Sequence, residues 1–448
     1  MQHLVIIGNG ITGITTARNV RKRSEMRITV ISNESKYFFS RTALMYVYMG
    51  HMKWDNIKPY EDWFYERNLI ELLFNKVVFI NTDEKKITLD NNNIIPYDKL
   101  VIATGSKTNK FSWPGQDLPG VQGLYSKQDL ELLEENTKNI ESAVIVGGGL
   151  IGIELGEMLH SRKINVTFLV REKFYWGNIL PQKEASMIGR HIEEHGMKLC
   201  TNTELKEIIP GGDGRVRAIL TINGEEIRCQ FAGLTPGVHP NIDLLKNTKI
   251  ETRRGVLVNE FLETNIKDIY SAGDCAEIIA TTGNEKEGRV PGRLEQLWYT
   301  GKMQAEVLAR NILGERIKYN RGIWYNSAKF LDIEYQTYGF VANVPREEDE
   351  SFYWEHISGK ICLRLVYSKV NRALSGVNVF GIRLRHRLME KWINERKSVE
   401  YVLENLKAAN FDPEFYRKYE NDIIQKYNDE NPNAKLGLKG KKFLEKFY

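Results

Sequence analysis

Apolar and polar positions along the chain repeat one order of elements twice. Each time, a β-branched run typical of a buried strand is followed by a glycine turn, apolar residues at helical spacing and a second apolar run. This order predicts two βαβ units, each starting a parallel sheet. The predicted elements are Leu4–Ile7, Ile14 to about Arg23 and Arg27–Ile31 in the first unit, and Ala143–Val146, Ile151–His160 and Asn165–Val170 in the second.

Shorter runs between and after these units predict additional strands. Two of them form hairpins inserted into the parallel units, because turn residues or glycines lie beside alternating apolar positions. The predicted pieces are the hairpin strands Val77–Ile80 and Lys86–Leu89, a strand at Lys99–Gly105, a hairpin marked by Gly212 to Gly224 with the strands Val216–Ile222 and Glu226–Ala232, strands at Gly255–Asn259 and Ile269–Ala272, and a helix from about Leu294 to Leu313.

The chain from about Tyr319 is rich in aromatic residues and has no further glycine turn of this kind. Strand patterns at Ser327–Tyr335 and Lys360–Tyr367 precede helical patterns, so we expect a separate α+β domain with a helical extension. Apolar residues from Leu384 to Ile393 recur at helical spacing and predict a stripe facing the core, with a partner-binding or membrane-surface helix as the alternative. Lysines 439, 441, 442 and 446 give a basic tail that would attract acidic partners or keep the chain soluble.

The fold class predicted by this order, together with the glycine turn that each unit contains, is α/β, with two Rossmann-like dinucleotide-binding domains, inserted β-meanders and the C-terminal α+β domain. We expect a discontinuous first domain at residues 1–112 and 245–318. The second domain takes residues 113–244 and the third takes residues 319–448.

The two glycine turns share the spacing G-x-G-x-x-G. Gly8, Gly10 and Gly13 form the first, and Gly147, Gly149 and Gly152 form the second. In such a turn the first glycine permits a tight bend, the second lets the backbone approach a pyrophosphate, and the third lets helix and strand pack closely. The free N–H groups of the helix N-terminus then favour the anion. The sequence therefore predicts two dinucleotide sites on one chain, which implies electron transfer.

Composition narrows the function further. The net charge of the 448 residues is only +5, which gives no reason to expect a nucleic-acid partner. No apolar run approaches the roughly 20 residues that span a bilayer, so we expect no transmembrane segment and a cytoplasmic protein. The cysteines have no close spacing, which predicts reduced packed thiols and no dithiol centre, iron–sulfur cluster or metal site; they are Cys200, Cys229, Cys275 and Cys362.

Three further segments complete a recognisable series over roughly the first 320 residues: Ala103-Thr104-Gly105, Thr235-Pro236-Gly237 and Ala272-Gly273-Asp274. With the two glycine turns, this series resembles the pyridine-nucleotide-disulfide oxidoreductase superfamily of flavoproteins. The resemblance implies FAD on the first fold, NADH or NADPH on the second, and a C-terminal domain that forms a homodimer interface.

The resemblance also implies roles for individual residues. Asp274 would hydrogen-bond a ribityl hydroxyl of FAD, and Glu34 is a conditional ribose ligand, because Ser32 occupies the usual acidic position. Trp298 would lie near the flavin, or else in the helix core. The whole implied FAD set is Gly8, Gly10, Ile11, Thr12, Gly13, Glu34, Arg41, Val78, Ala103, Thr104, Gly105, Gly273, Asp274 and Trp298.

The segment from Tyr37 to Tyr46 resembles the flavin-crossing segment of rubredoxin reductases, ferredoxin reductases, apoptosis-inducing factor and the large subunit of assimilatory nitrite reductase. Arg41 matches an arginine that those proteins use against FAD, and a guanidinium suits phosphate or a ring face. Disulfide reductases and NADH peroxidases of the superfamily carry reactive cysteine in this segment, and this chain has none. Disulfide reduction is therefore excluded by the prediction.

For the second nucleotide, the resemblance implies contacts from Gly147, Gly149, Leu150, Ile151, Gly152, Glu154, Arg171 and Gly237. Arg171 and Lys173 stand where an acid would favour NADH, which tilts the prediction slightly towards NADPH. Glu154 would lie near the nicotinamide or the flavin, although the lysine that pairs with its counterpart in some relatives, near Tyr46, is absent here. No side chain is assigned a catalytic role, since the flavin carries the hydride chemistry.

The function predicted is an FAD-dependent NAD(P)H oxidoreductase that passes electrons to a rubredoxin-like or ferredoxin-like protein or to a partner subunit. One alternative is an NAD(P)H:quinone or oxygen reductase. Another is a non-enzymatic flavoprotein whose response to NAD(P)H controls assembly.

Overall fold

The computed structural model describes residues 1–279, 292–411 and 417–439 of the chain. The chain divides into two compact units, each of which makes most of its contacts within itself. The first contains Met1–Ser112, Pro119–Asn139 and Leu234–Arg321, and the second contains Trp113–Leu118, Ile140–Gly233 and the described residues from Gly322 onward. Lysines 441, 442 and 446 of the predicted basic tail lie outside the described residues.

The elements of the amino-terminal stretch, in chain order, are β1 (His3–Ile7), α1 (Ile11–Arg21), β2 (Arg27–Ser32), α2 (Leu44–Tyr48), α3 (Trp63–Arg67), β3 (Ile70–Phe74), β4 (Val77–Asn81), β5 (Lys86–Leu89), β6 (Ile94–Pro96), β7 (Lys99–Ile102), β8 (Ser106–Thr108), β9 (Val121–Gln122) and α4 (Lys127–Asn136). The next stretch holds β10 (Ser142–Val146), α5 (Leu150–Ser161), β11 (Asn165–Leu169), α6 (Gln182–Glu194), β12 (Lys198–Cys200), β13 (Leu205–Pro210), β14 (Val216–Thr221), β15 (Glu226–Arg228) and β16 (Phe231–Leu234).

The remaining elements begin with β17 (Val238–Pro240), β18 (Val256–Val258), β19 (Ile269–Ser271), β20 (Ala276–Ile278), β21 (Arg293–Leu294) and α7 (Trp298–Ile312). They end with β22 (Tyr325–Phe330), β23 (Ile333–Gly339), β24 (Asp349–Glu355), β25 (Cys362–Ser368), β26 (Leu374–Phe380), α8 (His386–Asn394), α9 (Val399–Glu404), α10 (Leu406–Ala409) and α11 (Glu420–Glu430). Single 3₁₀ turns occur at Arg41–Ala43, Trp54–Ile57 and Asp243–Leu245.

A parallel sheet in the order β19-β7-β1-β2-β3 is the centre of the first unit. Its apolar runs are nearly continuous because both faces are covered. Leu4 and Ile6 of β1 belong to one core with residues of α1 and α7. Val5 and Ile7 belong to another core with residues of the antiparallel β4-β5-β6 meander. The hairpin predicted at residues 77–89 is thus present, and it covers one face of the parallel sheet.

The second unit contains a parallel sheet and two antiparallel sheets. Strands β12, β11, β10 and β16 lie side by side in that order, and β10, β11 and β12 are parallel. Strands β13-β14-β15 form the inserted antiparallel sheet. The C-terminal part is an antiparallel sheet in the order β22-β23-β26-β25-β24, followed by helices α8 to α11. The strands-then-helices prediction for this region is correct.

Helix α8 has the predicted core-facing stripe. Met389 and Trp392 are buried in the core that the C-terminal sheet and helices share, and Leu388 and Ile393 pack against it. Leu384 is buried in the same core but lies before the helix, since α8 begins at His386. In the described part of the chain, no helix is both long and apolar enough to cross a membrane.

Beyond shifts of a few residues at element ends, four predicted elements differ from the structure, each for a physical reason. The predicted helix start at Leu294 moves to Trp298, because Arg293 and Leu294 pair with β20 as a strand. The predicted strand Glu226–Ala232 is split, because Cys229 donates to Arg217 of β14 whereas Gln230 donates to Ser142 of β10.

The other two corrections concern turns. The single hairpin predicted at Gly212 to Gly224 is two turns on either side of β14. The strand pattern Ser327–Tyr335 is interrupted by a two-residue turn, Leu331-Asp332, since Phe330 pairs with Ile333.

Candidate functional site

The first glycine turn joins β1 to α1 with the close packing expected of its spacing. Gly8 has φ +112°, and a Cβ there would lie 2.1 Å from the carbonyl oxygen of Ala103. A Cβ on Gly13 would lie 1.9 Å from the carbonyl oxygen of Gly8. Both positions therefore require glycine, because any side chain would force the helix away from the sheet.

Gly10 differs from its neighbours. If Gly10 carried a Cβ, no atom of the described residues other than its chain neighbours would lie within 4 Å of it. Gly10 precedes α1, no described side chain caps this helix end, and its first turn carries no acid. The first intrahelical bond runs from Ile14 to Gly10, so the backbone N–H groups of Ile11, Thr12 and Gly13 have no partner within the helix and form a cradle suited to an anion.

A polar network lies beyond the strand ends of the same unit; its members are Glu34, Arg41, Ser106, Tyr125, Asp274 and Gln296. Arg41 donates to both carboxylate oxygens of Glu34, at 2.7 and 2.6 Å. It also donates to the carbonyl oxygen of Tyr125, and its guanidinium lies 4.3 Å from the centre of the Tyr125 ring. Hydrogen bonding to Glu34 and the charges nearby outweigh burial and raise the pKa of Arg41 further.

Asp274 lies at the other end of the polar network. Its Oδ2 accepts from Ser106 Oγ at 3.1 Å and from the Tyr125 hydroxyl at 3.4 Å. Gln296 in turn donates to Ser106 Oγ at 2.8 Å. Burial raises the pKa of Asp274, while the bond from Ser106 and the charge of Arg41 oppose that rise. A half-buried carboxylate with donors on one side is a strong acceptor for a hydroxyl.

The other predicted FAD residues differ in whether they lie beside the first glycine turn and the polar network. Gly273 has φ +82° and packs against Thr12, so the turn before Asp274 touches α1. Thr104 donates to the carbonyl oxygen of Asn241, and Gly105 has φ +69°. Trp298 is the first residue of α7 and 37% exposed, so it is not a core residue. Val78 lies on β4, is 46% exposed and does not belong to the polar network.

The second glycine turn, between β10 and α5, repeats these features. Gly147 has φ +127° and donates to the carbonyl oxygen of Leu169 at 3.0 Å. A Cβ on Gly149 would likewise have no atom of the described residues within 4 Å, apart from its chain neighbours. Gly149 precedes α5, which has no acid in its first turn and no cap from a described side chain. Leu150, Ile151 and Gly152 form that first turn.

Glu154 lies one turn into α5 and is half-buried. Burial raises its pKa to about 7, and the charge of Glu157 adds to the rise. Tyr175 is fully buried nearby, and its hydroxyl donates to the carbonyl oxygen of Gly149 at 2.9 Å. Tyr175 therefore orders the turn before α5. No local sequence pattern predicts this hydrogen bond, because the two residues are 26 positions apart.

Two other predicted nucleotide residues lie elsewhere. Arg171 follows β11 and is exposed, and its Nη2 lies 3.0 Å from Oε1 of Glu172. Glu172, which lies between Arg171 and Lys173, was not among the predicted site residues. Gly237 belongs to the first unit, has φ +94° and accepts a hydrogen bond from the backbone of Asn109.

All four cysteines have free thiols in the structure. Cys229, Cys275 and Cys362 are buried, and burial raises the pKa of each. Cys200 is half-buried, and burial raises its pKa also. A thiol with a raised pKa is a poor nucleophile near neutral pH.

Residues 2–305 match the family model described as pyridine nucleotide-disulphide oxidoreductase. The chain is 27% identical over 403 residues to the assimilatory nitrate reductase electron transfer subunit of Bacillus subtilis (strain 168), covering 88% of this chain and 50% of that protein. It is 29% identical over 325 residues to a nitrite reductase (NAD(P)H) of the same strain, covering 72% of this chain and 38% of that protein. The chain thus spans half or less of these two relatives.

A crystal structure of NADH:rubredoxin oxidoreductase from Clostridium acetobutylicum superimposes with a TM-score of 0.70 at 26% identity, covering 88% of this chain and 96% of that one. The predicted fold class and family are confirmed by these matches. The chain belongs to the pyridine nucleotide-disulphide oxidoreductase family.

Proposed function

We propose that the protein is an FAD-dependent oxidoreductase that accepts a hydride from NADH or NADPH and passes electrons to a separate acceptor protein or partner subunit. One observation carries this proposal. Two parallel sheets each end at a glycine turn whose middle glycine, Gly10 or Gly149, faces open space before an uncapped helix. Each arrangement suits one dinucleotide pyrophosphate.

The first unit would hold FAD. Gly10 and the N–H groups at the start of α1 would bind its pyrophosphate, and Asp274 would accept from a ribityl hydroxyl. Glu34 and Arg41 offer opposite charges at one place, for ribose hydroxyls and phosphate respectively. The other residues proposed to line this site are Gly8, Val78, Ala103, Thr104, Gly105, Gly273 and Trp298.

The second unit would hold the pyrophosphate of NADH or NADPH at Gly149 and the start of α5. Gly147 and Gly152 shape the turn, and Arg171 lies where a 2′-phosphate is distinguished from a hydroxyl. A pKa of about 7 makes Glu154 able to hold or release a proton near neutral pH. The resemblance also implies Gly237 for this nucleotide.

Bound FAD would supply the ring that accepts two electrons and returns them singly or in pairs. The side chains need only bind and orient the two nucleotides. The raised pKa of each cysteine agrees with a reaction that needs no thiolate. We therefore do not assign disulfide reduction to this chain, despite its family name.

Two relatives support a protein acceptor. One is named an electron transfer subunit and the other a rubredoxin oxidoreductase. The first aligns over 88% of this chain, well beyond the 2–305 span of the family model, so its likeness extends into the C-terminal part. We propose that the acceptor is a small iron-containing carrier or a larger reductase subunit.

The test is steady-state turnover of the FAD-loaded chain with NADH and with NADPH. Rubredoxin, a [2Fe–2S] ferredoxin, a water-soluble ubiquinone analogue and dioxygen would serve as acceptors. We expect at least one protein carrier to exceed quinone and dioxygen by tenfold or more in kcat/KM. Faster quinone or dioxygen reduction would favour the reductase alternative instead. Slow turnover with every acceptor, together with an NAD(P)H-dependent change of oligomeric state, would favour the assembly-controlling role.

We further propose that the protein acts in the cytoplasm as a homodimer. The C-terminal part exposes several large apolar side chains, a composition that suits an interface; they include Phe340, Val344 and Val370, which are 53%, 70% and 92% exposed. Light scattering of the FAD-loaded chain tests the dimer directly. A mass of about 52 kDa would contradict it, since that is the mass of one chain.

A further inference from the structure

Three side chains that have no part in the proposed nucleotide sites converge within the second unit. His191 and His195 are four positions apart at the C-terminal end of α6, so they share one helix face. Asp332 lies in the two-residue turn between β22 and β23, where Leu331 has φ +56°. Each of these three side chains offers one potential ligand atom, and the three atoms lie within 4.8 Å of one another.

Hydrogen bonding fixes which nitrogen of His195 is free. Its Nδ1 lies 2.9 Å from the carbonyl oxygen of His191, and a carbonyl can only accept, so Nδ1 carries the hydrogen. The other nitrogen, Nε2, then presents a lone pair in the neutral ring. It lies 3.4 Å from Oδ1 of Asp332, so two acceptors face each other.

His191 presents a related conflict. Its side chain is 1% exposed, and its Nε2 contacts the same Oδ1 of Asp332. Its Nδ1 is buried without a hydrogen-bond partner among the described residues, and the nearest carboxylate, Oε2 of Glu194, lies 3.6 Å away. If Nδ1 carries the hydrogen and is directed at Glu194, then Nε2 also offers a lone pair to the space beside Asp332.

We propose that His191 Nε2, His195 Nε2 and Asp332 Oδ1 bind a divalent transition-metal ion, for which Zn²⁺ is the best match. A cation between these atoms would turn the facing acceptors into ligands. Two imidazoles and one carboxylate form a common zinc donor set, with water in the fourth position. The carbonyl of His191 and the carboxylate of Glu194 then act as the outer partners that orient each ring.

The surroundings permit entry and exchange. Asp332 is 61% exposed and His195 is 29% exposed at the side chain, so solvent reaches the open position. Lys360 lies 3.6 Å from Glu194 and balances that outer charge, which leaves Asp332 as the anionic ligand. The ion would join α6 to the turn between β22 and β23, and it would stabilise the second unit.

The competing explanation is a proton: a charged imidazolium of His191 paired with Asp332. That arrangement accounts for the close contacts without a metal ion. The two explanations therefore differ in metal binding and in the response of stability to zinc.

The experiment uses the full FAD-loaded chain, treated with EDTA and desalted, then titrated with Zn²⁺ and separately with Co²⁺. We expect one Zn²⁺ per chain, a rise in the unfolding temperature with zinc, and Co²⁺ absorption at wavelengths beyond the flavin band. His195→Gln and Asp332→Asn alter partly exposed positions and should each weaken binding at least about 100-fold. His160→Gln, which alters an exposed histidine of the same unit, should bind as the wild type does.

Binding of less than one equivalent by the wild type would overturn the proposal. So would equal zinc affinity in His195→Gln and Asp332→Asn, since the ion would then sit elsewhere. If Asp332→Asn lowered the unfolding temperature by the same amount with and without zinc, the cluster would be a proton-bridged pair and not a metal site. These outcomes do not depend on NAD(P)H oxidation, so they are separable from a failure of the proposed function.

Discussion

Arg41 and Glu34 form a bidentate ion pair, with Nη1 2.7 Å from Oε1 and Nη2 2.6 Å from Oε2. Their side chains are only 30% and 20% exposed. Glu34 also accepts from the backbone N–H of Lys127, the first residue of α4, at 3.0 Å. Sequence resemblance assigned both residues to FAD separately, and the structure joins them into one charged unit.

This pairing predicts coupled effects on FAD affinity. Glu34→Gln and Arg41→Gln should each weaken FAD binding about tenfold or more, and the double variant should lose less than the sum. A buried or half-buried charged pair of this geometry gives coupling of about 1–3 kcal/mol in a double-mutant cycle. Fluorescence titration of the apoprotein with FAD measures it.

The matched control for that cycle is Arg310 and Glu315, an exposed pair in the same unit. Removing either partner there should leave FAD affinity unchanged, because exposed pairs contribute little. Strictly additive effects of the Glu34 and Arg41 variants would show that the two residues act on FAD independently.

Gly10→Ala and Gly13→Ala should separate binding from folding. Gly10 has φ −68° and open space around its Cβ position, so alanine should leave the unfolding temperature nearly unchanged while FAD affinity falls. Gly13→Ala places a methyl 1.9 Å from the carbonyl oxygen of Gly8, so it should destabilise the fold by several kcal/mol. Calorimetry and FAD titration of both variants check this. Full FAD affinity in folded Gly10→Ala would contradict the assignment of the cradle.

Glu154→Gln should change how stability depends on pH. The pKa of Glu154 is about 7 in the folded chain against an ordinary value of 4.5. The folded state therefore binds this proton more tightly, and wild-type stability falls as pH rises from about 4.5 to 7. Glutamine cannot ionise, so the variant should exceed the wild type at pH 8 by at most about 3 kcal/mol.

Urea unfolding at pH 5 and pH 8 measures that difference. Glu193→Gln, on the exposed side of α6, is the control and should follow the wild type at both pH values. Identical pH profiles for Glu154→Gln and the wild type would show that Glu154 ionises normally.

Coenzyme preference should respond to the pair of Arg171 and Glu172. Glu172→Gln releases Arg171 from its partner and should raise the ratio of kcat/KM for NADPH over NADH about two- to fivefold, the range typical of an exposed ion pair. Arg171→Gln should lower the same ratio. Lys163→Gln removes a cation at the far end of α5 and serves as the control. A ratio unmoved by both loop variants would place 2′-phosphate discrimination elsewhere.

The sequence was informative where the determinants of structure are local. Gly8, Gly10 and Gly13 lie within six positions, and their steric consequences follow from backbone geometry alone. The β1-α1 and β10-α5 units were predicted for this reason, with boundaries displaced by a few residues. Helix α7 began later than predicted because Arg293 and Leu294 pair with β20, a partner that helical periodicity does not reveal.

Three members of the polar network, Ser106, Tyr125 and Gln296, could not be found in the same way. Ser106 and Tyr125 meet Asp274 across 168 and 149 positions, and nothing near either residue marks it as a partner of that carboxylate. Tyr175 likewise orders Gly149 from beyond the next strand. His191 and His195 did carry a local signal, their four-residue spacing. That spacing was not among the predicted metal signals, and Asp332 is 137 positions further on.

The most direct test of the central claim is an anaerobic titration of the FAD-loaded chain with NADH and, separately, with NADPH, following the flavin absorption. We predict stoichiometric bleaching by at least one of the two nucleotides. Gly149→Ala should retain FAD but require a much higher nucleotide concentration for the same bleaching. A chain that retains no FAD, or a flavin that neither nucleotide reduces, would contradict the assignment as an NAD(P)H oxidoreductase.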